Sequence, residues 1–469
     1  MESSMKNMVI IMVVAFMFLL ITEESYGIPA FARKYKTSCT TCHVAIPKRN
    51  AFGEAFRRNG FVLPKGDAQL IKEEPVSLGA EGWKEMFPDA VWPGVIPPNL
   101  PISVYVHNRI TYDPLKPNGQ KIGFDMPHEL ELLFGGAFGN DVGLFGEWIF
   151  FEGGQNAVGM QRFFFQFNDI VGPKDVLNVK VGRIEPGITS GYMNANRITM
   201  DRPITIDYRA SGDWRPRDNQ TGIEINGILE SRLEYSAGVL NGEGKATPFK
   251  DRKDVFARVA YKIGGMGLDG SGADVELKET DNWVDNALTV GVYLYNGNSA
   301  KATTSTSSTQ TIDTAGSGGN PTKFKITSKT TTTTKNWDNN FNRIGFDLRA
   351  GYERFELTGG LIFGEDENPL GDAKKIKHTA YFGEVDYIFY PWLIGVFRVN
   401  RADSKLAEDD RDKYWEINPN ITILYRANIR FTFEGRLRVD EKRTIGGVEK
   451  DPTEGRAFRL FRFNTMIAF

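Results

Sequence analysis

Near its C-terminus the chain alternates strictly. Phe461, Phe463, Thr465, Ile467 and Phe469 interleave with Arg462, Asn464, Met466 and Ala468. The preceding stretch repeats this, with Ile429, Phe431, Phe433, Leu437 and Val439 on one face and Arg430, Thr432, Glu434, Arg436 and Arg438 on the other. A period of two sustained over about ten residues describes a strand with one apolar and one strongly charged face. A soluble sandwich would carry shorter strands. A transmembrane barrel needs about 9–11 residues per crossing, with lipid on the apolar face and water inside.

Sixteen segments qualify: 102–113, 128–138, 141–153, 161–169, 177–186, 220–228, 231–242, 252–263, 287–296, 341–351, 353–364, 377–388, 391–402, 414–426, 428–440 and 457–469. The fold expected is mainly β, an outer-membrane antiparallel β-barrel of about 16 strands over residues 101–469, with a small α-containing domain before it. An even count returns both ends of the barrel to the periplasm. Tight turns such as Gly139-Asn140-Asp141 and Tyr390-Pro391-Trp392 then face the periplasm, with one longer connection at 264–286. Segment 187–219 could add a short strand, and the Thr/Ser-rich stretch 298–335 reads as a flexible external loop. A terminal Phe469 on such a strand is a usual sorting mark of outer-membrane barrels.

A net charge of −2 gives no basic bias toward nucleic acid, and 49 Gly with 12% aromatics suits a large β protein. Residues 1–27 read as a secretory signal. Lys6 precedes an apolar run from Met8 to Ile21, about fourteen residues and short of the roughly 20 that span a bilayer, with Ser25 and Gly27 at the cleavage positions.

The chain has 2 cysteines, both in Ser38-Cys39-Thr40-Thr41-Cys42-His43. CxxCH is the haem c attachment pattern: two thiols add to the two vinyl groups and the adjacent His supplies an axial nitrogen. A redox CxxC does not need His43, and a zinc site normally needs four ligands. Cys39, Cys42 and His43 are therefore the expected cofactor-binding residues for one covalent haem in a domain spanning 28–100, with His43 on the metal. Pro47 suits a helix start and Asn59-Gly60 its end. Phe52 and Phe56 share a helix face, to pack on the porphyrin or form a small core. Arg57 and Arg58 read as propionate partners or as solvated charge.

These features resemble the fused monohaem c-type cytochrome–porin family, outer-membrane proteins linked to oxidation of extracellular ferrous iron. The likeness rests on Pro29-Ala30-Phe31-Ala32, Cys39-Thr40-Thr41-Cys42-His43, Pro47, Asn50, Phe52-Gly53, Phe56 and Gly60-Phe61. It implies extracellular Fe(II) as electron donor and a periplasmic electron-carrier cytochrome as partner. The Fe(II) oxidase activity is an implication of the resemblance alone.

Met86 is the one candidate for a second axial ligand between Val44 and Val106, with His107, His128 or an open position as alternatives and His378 read as structural. Glu365, Asp366 and Glu367 are candidates to attract Fe²⁺, or solvated loop charge. Three rival readings stand beside iron oxidation: electron export to an external acceptor, a porin whose haem domain is a structural or sensory plug, and a soluble periplasmic cytochrome with a β-sandwich, against which the strand pattern argues.

Overall fold

The computed structural model describes residues 30–35, 37–63, 76–77, 86, 95–96, 101–116, 119–138, 141–153, 155–188, 196–207, 214–242, 252–272, 284–315, 323–404, 413–440, 443–445, 448–450 and 459–469. The signal-like segment 1–27 lies outside the described residues, as does most of 64–100.

Sixteen antiparallel strands close into one barrel. They are β1 (Ile102–Tyr112), β2 (Ile122–Phe138), β3 (Val142–Glu152), β4 (Gln155–Phe167), β5 (Asn178–Ile184), β6 (Gln220–Leu229), β7 (Leu233–Leu240) and β8 (Asp254–Gly264). The second half is β9 (Ala287–Ala315), β10 (Lys323–Tyr352), β11 (Phe355–Asp366), β12 (Ile376–Tyr390), β13 (Leu393–Ser404), β14 (Tyr414–Arg426), β15 (Ile429–Asp440) and β16 (Arg459–Ala468). The sheet closes where β16 pairs with β1, Met466 opposite His107 and Phe463 opposite Ile110.

Burial is inverted relative to a soluble protein. On β8, Val255, Val259, Tyr261 and Ile263 are exposed while Asp254, Arg258 and Lys262 are buried. Arg398 and Arg430 are each 0% exposed, and Glu224 1%. Such a surface is unstable in water and stable in lipid, with the charged face turned to a polar lumen. Among the described residues no helix is long and apolar enough to cross a membrane; the strands of the closed barrel make the crossings.

Two loops differ from expectation in their described residues. Residues 298–315 and 323–335 pair as a ribbon: β9 and β10 stay in register far beyond their neighbours, from Asn298 opposite Asn340 out to Ala315 opposite Lys323. Thr is β-branched and favours extended backbone, and the barrel already fixes the register, so the hairpin propagates without a core. Segment 185–219 holds no strand among its described residues. The described residues of this segment fold inward and include a short helix at Ile204–Asp207. Met200 N donates to Glu434 at 2.7 Å, Ile204 N to Asn400 at 3.1 Å, and Arg462 to Asp201 at 2.7 Å. Its apolar side chains and backbone donors thus find partners on the lumen wall.

Residues 30–63 lie inside the barrel, as a plug near the rim that carries the short turns. They form α1 (Ala30–Tyr35), a 3₁₀ turn at Cys39–Thr41, a small hairpin of His43–Ala45 with Lys48–Arg49, and α2 (Ala51–Arg58). Phe61 stacks on Phe145 of the wall at 5.2 Å, and Val44 and Ala45 pack with Ile388, Ile394 and Leu424. Arg58 pairs with Glu234 at 2.8 Å, and Lys48 with Asp386 and, at 2.5 Å, with Glu356.

Candidate functional site

The two cysteines and His43 are held by local chain chemistry. Ser38 begins the 3₁₀ turn by accepting from Thr40 N at 3.3 Å, which places Cys39 and Cys42 one turn apart. Asn50 then ties this turn to α2. Its Nδ2 donates to Thr40 O at 3.1 Å and to Thr41 O at 3.0 Å, while its Oδ1 accepts from Gly53 N at 2.9 Å as the helix N-cap. The helix therefore starts after Asn50 and not at Pro47, because Asn50 supplies the acceptor that Pro47 lacks. It ends at Asn59, with Gly60 at φ +62°, where the sequence places it. Gly53 lets α2 lie against the turn: a Cβ there would fall 2.1 Å from the Cys42 carbonyl oxygen.

Cys39 and Cys42 form no disulfide with each other, and with His43 they line one cavity of about 490 Å³. Burial pushes the Cys39 thiol up to about 11 and the Cys42 thiol up to about 12. Burial, then the Arg49 charge, draws the His43 imidazole down to about 4, so it is neutral at ordinary pH. Its Nδ1 lies 3.2 Å from Pro47 O and donates to it, which leaves the Nε2 lone pair for a ligand. A ligating His is typically held this way, its second nitrogen bonded to a carbonyl.

The cavity has an apolar and a charged side. Phe31, Phe52, Phe56 and Phe61 come from the plug, and Phe134, Phe145 and Phe164 from the wall. Phe31 meets Phe56 edge-on at 5.0 Å and stacks on Phe61 at 5.4 Å. Phe52 and Phe56 are buried in the core and also line the cavity. The charged side carries Glu129, Glu131, Glu147, Arg162, Lys180, Glu185, Arg197 and Arg202. None of these was singled out from sequence. Alternation assigns each wall residue to the lumen, but not the height at which the plug docks.

The arginines beside α2 are already engaged. Arg57 pairs with Glu54 at 3.0 Å and Arg58 with Glu234, so neither reads as solvated charge. Burial alone would raise the Glu54 carboxyl; Arg49, Arg57 and Arg58 override it and hold the group well below the usual carboxylate range. Met86 is 73% exposed and does not line the cavity. His107 and His128 meet edge-on at 4.9 Å within the barrel, bonded to Asn464 and Asp125 respectively, and His378 is buried in β12; none of the three lines the cavity. Among the described residues, His43 is the only His or Met on it. In the outer loop, Asp366 is not solvated but buried against Arg343 at 2.9 Å, Glu365 pairs with Lys375, and Glu367 accepts from Asn340. Among the described residues no group of three or more His, Cys, Asp or Glu could hold a metal ion.

No protein-family model matches the chain, and no curated protein matches it. Solved structures do. An anion-selective porin from Comamonas acidovorans superposes with a TM-score of 0.52 at 13% identity, covering 79% of this chain and 99% of that one. OmpT of Vibrio cholerae gives 0.48 at 10% identity over 80% and 98%. The DcaP channel of Acinetobacter baumannii gives 0.48 at 10% over 79% and 97%. With a closed barrel, an apolar outer face and the Comamonas porin as architectural likeness, the chain is a porin-like β-barrel of the bacterial outer membrane, its lumen occupied by its own N-terminal segment.

Proposed function

We propose that this barrel is a monohaem c-type cytochrome–porin that moves electrons across the outer membrane, from extracellular Fe(II) to a periplasmic electron-carrier cytochrome. One observation carries the reading: Cys39, Cys42 and His43 open onto a single aromatic-lined cavity inside the barrel. A domain hanging below the membrane would leave about 30 Å of hydrocarbon between donor and acceptor. A redox centre in the lumen shortens that path.

The residues fit a covalent haem. The Cys39 and Cys42 thiols would take the two vinyl groups, the His43 Nε2 would reach the iron, and the phenylalanines would exclude water from the ring faces. Bound there, the group supplies a one-electron ferric/ferrous couple. Asn50 and Gly53 keep the turn rigid against α2. Short turns of such barrels face the periplasm. The plug near that rim then sits close to a periplasmic acceptor, with the inward segment 185–219 between it and the outside.

The test adds Fe(II) anaerobically to outer membranes from cells expressing the chain with haem-maturation machinery, and follows the haem bands. Prompt reduction, absent in C39A/C42A, supports the reading. Reduction by dithionite but not by Fe(II) overturns iron as donor and favours electron export. The plug's ion pairs to the wall favour the porin reading, in which the plug is structural; that reading predicts solute permeation and no Fe(II) response.

A further inference from the structure

The cations on the cavity differ in what they already hold. Arg162 pairs with Glu147 and, at 3.0 Å, with Glu185. Lys180 pairs with Glu224 at 2.8 Å, and Arg49 and Arg57 with Glu54 at 2.5 and 3.0 Å. Arg197 is different. Its Nε donates to Met200 O at 3.3 Å, and among the described residues no carboxylate lies within ion-pair distance of its guanidinium. Burial first, then the neighbouring Arg202 charge, work against this cation. Glu129 favours the charge from beyond ion-pair distance, and the side chain is half-buried on the cavity lining, so the guanidinium keeps donors for an anion there. Arg197 lines the cavity that the two thiols share.

Tetrapyrroles of the haem type carry vinyl groups on one edge and two propionate carboxylates on another. Thioether links at Cys39 and Cys42 would fix the vinyl edge against the plug, which leaves the carboxylates to cavity groups away from the thiols. We infer that Arg197 is the propionate-binding residue of this cavity, contributed by the inward segment and not by the plug that carries the thiols. A guanidinium meets a carboxylate through two parallel N–H donors, which gives orientation as well as attraction. The bound group would then bridge plug, wall and inward segment, and loading would fasten 196–207 over the cavity. This rests on the haem reading above.

The experiment uses the full chain, matured with haem and purified in detergent, as wild type, R197Q, R197K and the surface control K374Q. Covalent haem is counted first. Redox titrations are then run from pH 5 to pH 8. Removing a positive charge beside the ring favours the ferric state, so R197Q should shift the ferric/ferrous equilibrium by roughly tenfold toward ferric, equivalent to about 59 mV for one electron. A propionate freed from its arginine titrates nearer neutrality, so the R197Q potential should fall as pH rises through that range. R197K should restore most of both properties, and K374Q should match wild type. A loaded R197Q with the wild-type potential and pH profile overturns the inference while leaving the haem reading intact. If R197Q fails to load, R197K decides: a wild-type-like potential supports the inference, and failure to load overturns it. Wild-type protein without covalent haem overturns both.

Discussion

Replacing Lys48 by Met tests how the plug is latched. The ammonium is 2% exposed and sits between Asp386 and Glu356 on the wall. Burial opposes its charge, and Asp386 then Glu356 more than restore it, so the group stays protonated well above the ordinary lysine range. Met fills nearly the same volume without charge. Glu356 keeps Arg349 at 2.8 Å, and Glu384 faces Arg398 at 3.3 Å. Asp386 is left without a cation. Stranding one member of a buried ion pair costs about 3–5 kcal/mol. At about 1.4 kcal/mol per decade, the ratio of docked to displaced plug should fall by roughly two to three and a half orders of magnitude. In planar bilayers, K48M should show frequent large-conductance openings where wild type shows few. K48M/D386N should close the pore again, because removing both charges removes the stranded one. A K48M barrel as closed as wild type, with the plug equally resistant to protease, would refute the argument.

Three other outcomes follow from the same geometry. G53A should cost about 3 kcal/mol or more, at the upper end for overpacking, since its Cβ meets the Cys42 carbonyl at 2.1 Å; protease resistance of the plug in urea reads this directly. Glu54 contributes stability with a defined pH sign. It is protonated near its ordinary value of 4.5 when unfolded but stays ionised to lower pH when folded, so its contribution is full above about pH 5 and is lost as pH falls below that. In plug-protection assays E54Q should be less stable than wild type at pH 7, and the gap should shrink toward pH 3. Deleting 302–336 should leave a barrel with wild-type heat-modifiable gel mobility, because the ribbon's described side chains touch little of the wall and its paired strands continue unbroken below Ala302.

The barrel was legible because period-two alternation survives wherever one face meets lipid and the other meets a charged lumen. The 414–426 segment matches β14 to the residue, and 220–228 misses β6 by one. Legibility stopped where the pattern stops. The Thr/Ser ribbon has polar residues on both faces, so it carries no alternation, yet pairing with its own continuation orders it. The inward segment 185–219 is built from single contacts such as Asp201 with Arg462, which no periodicity announces. In the candidate site, CxxCH and the phenylalanines at 52 and 56 stood out as spacing patterns. Asn50 stood out only through resemblance, and its role as a brace needed the fold. Arg197 was invisible, because what distinguishes it is that no carboxylate among the described residues pairs with it.

Intact-mass analysis of the purified barrel, expressed with haem-maturation machinery, tests the central claim most directly. The account predicts the mature chain plus one haem, with pyridine-haemochrome bands typical of thioether linkage, and an unmodified but folded barrel for C39A/C42A. A wild-type barrel that folds, carries no added mass and titrates two free thiols would contradict it.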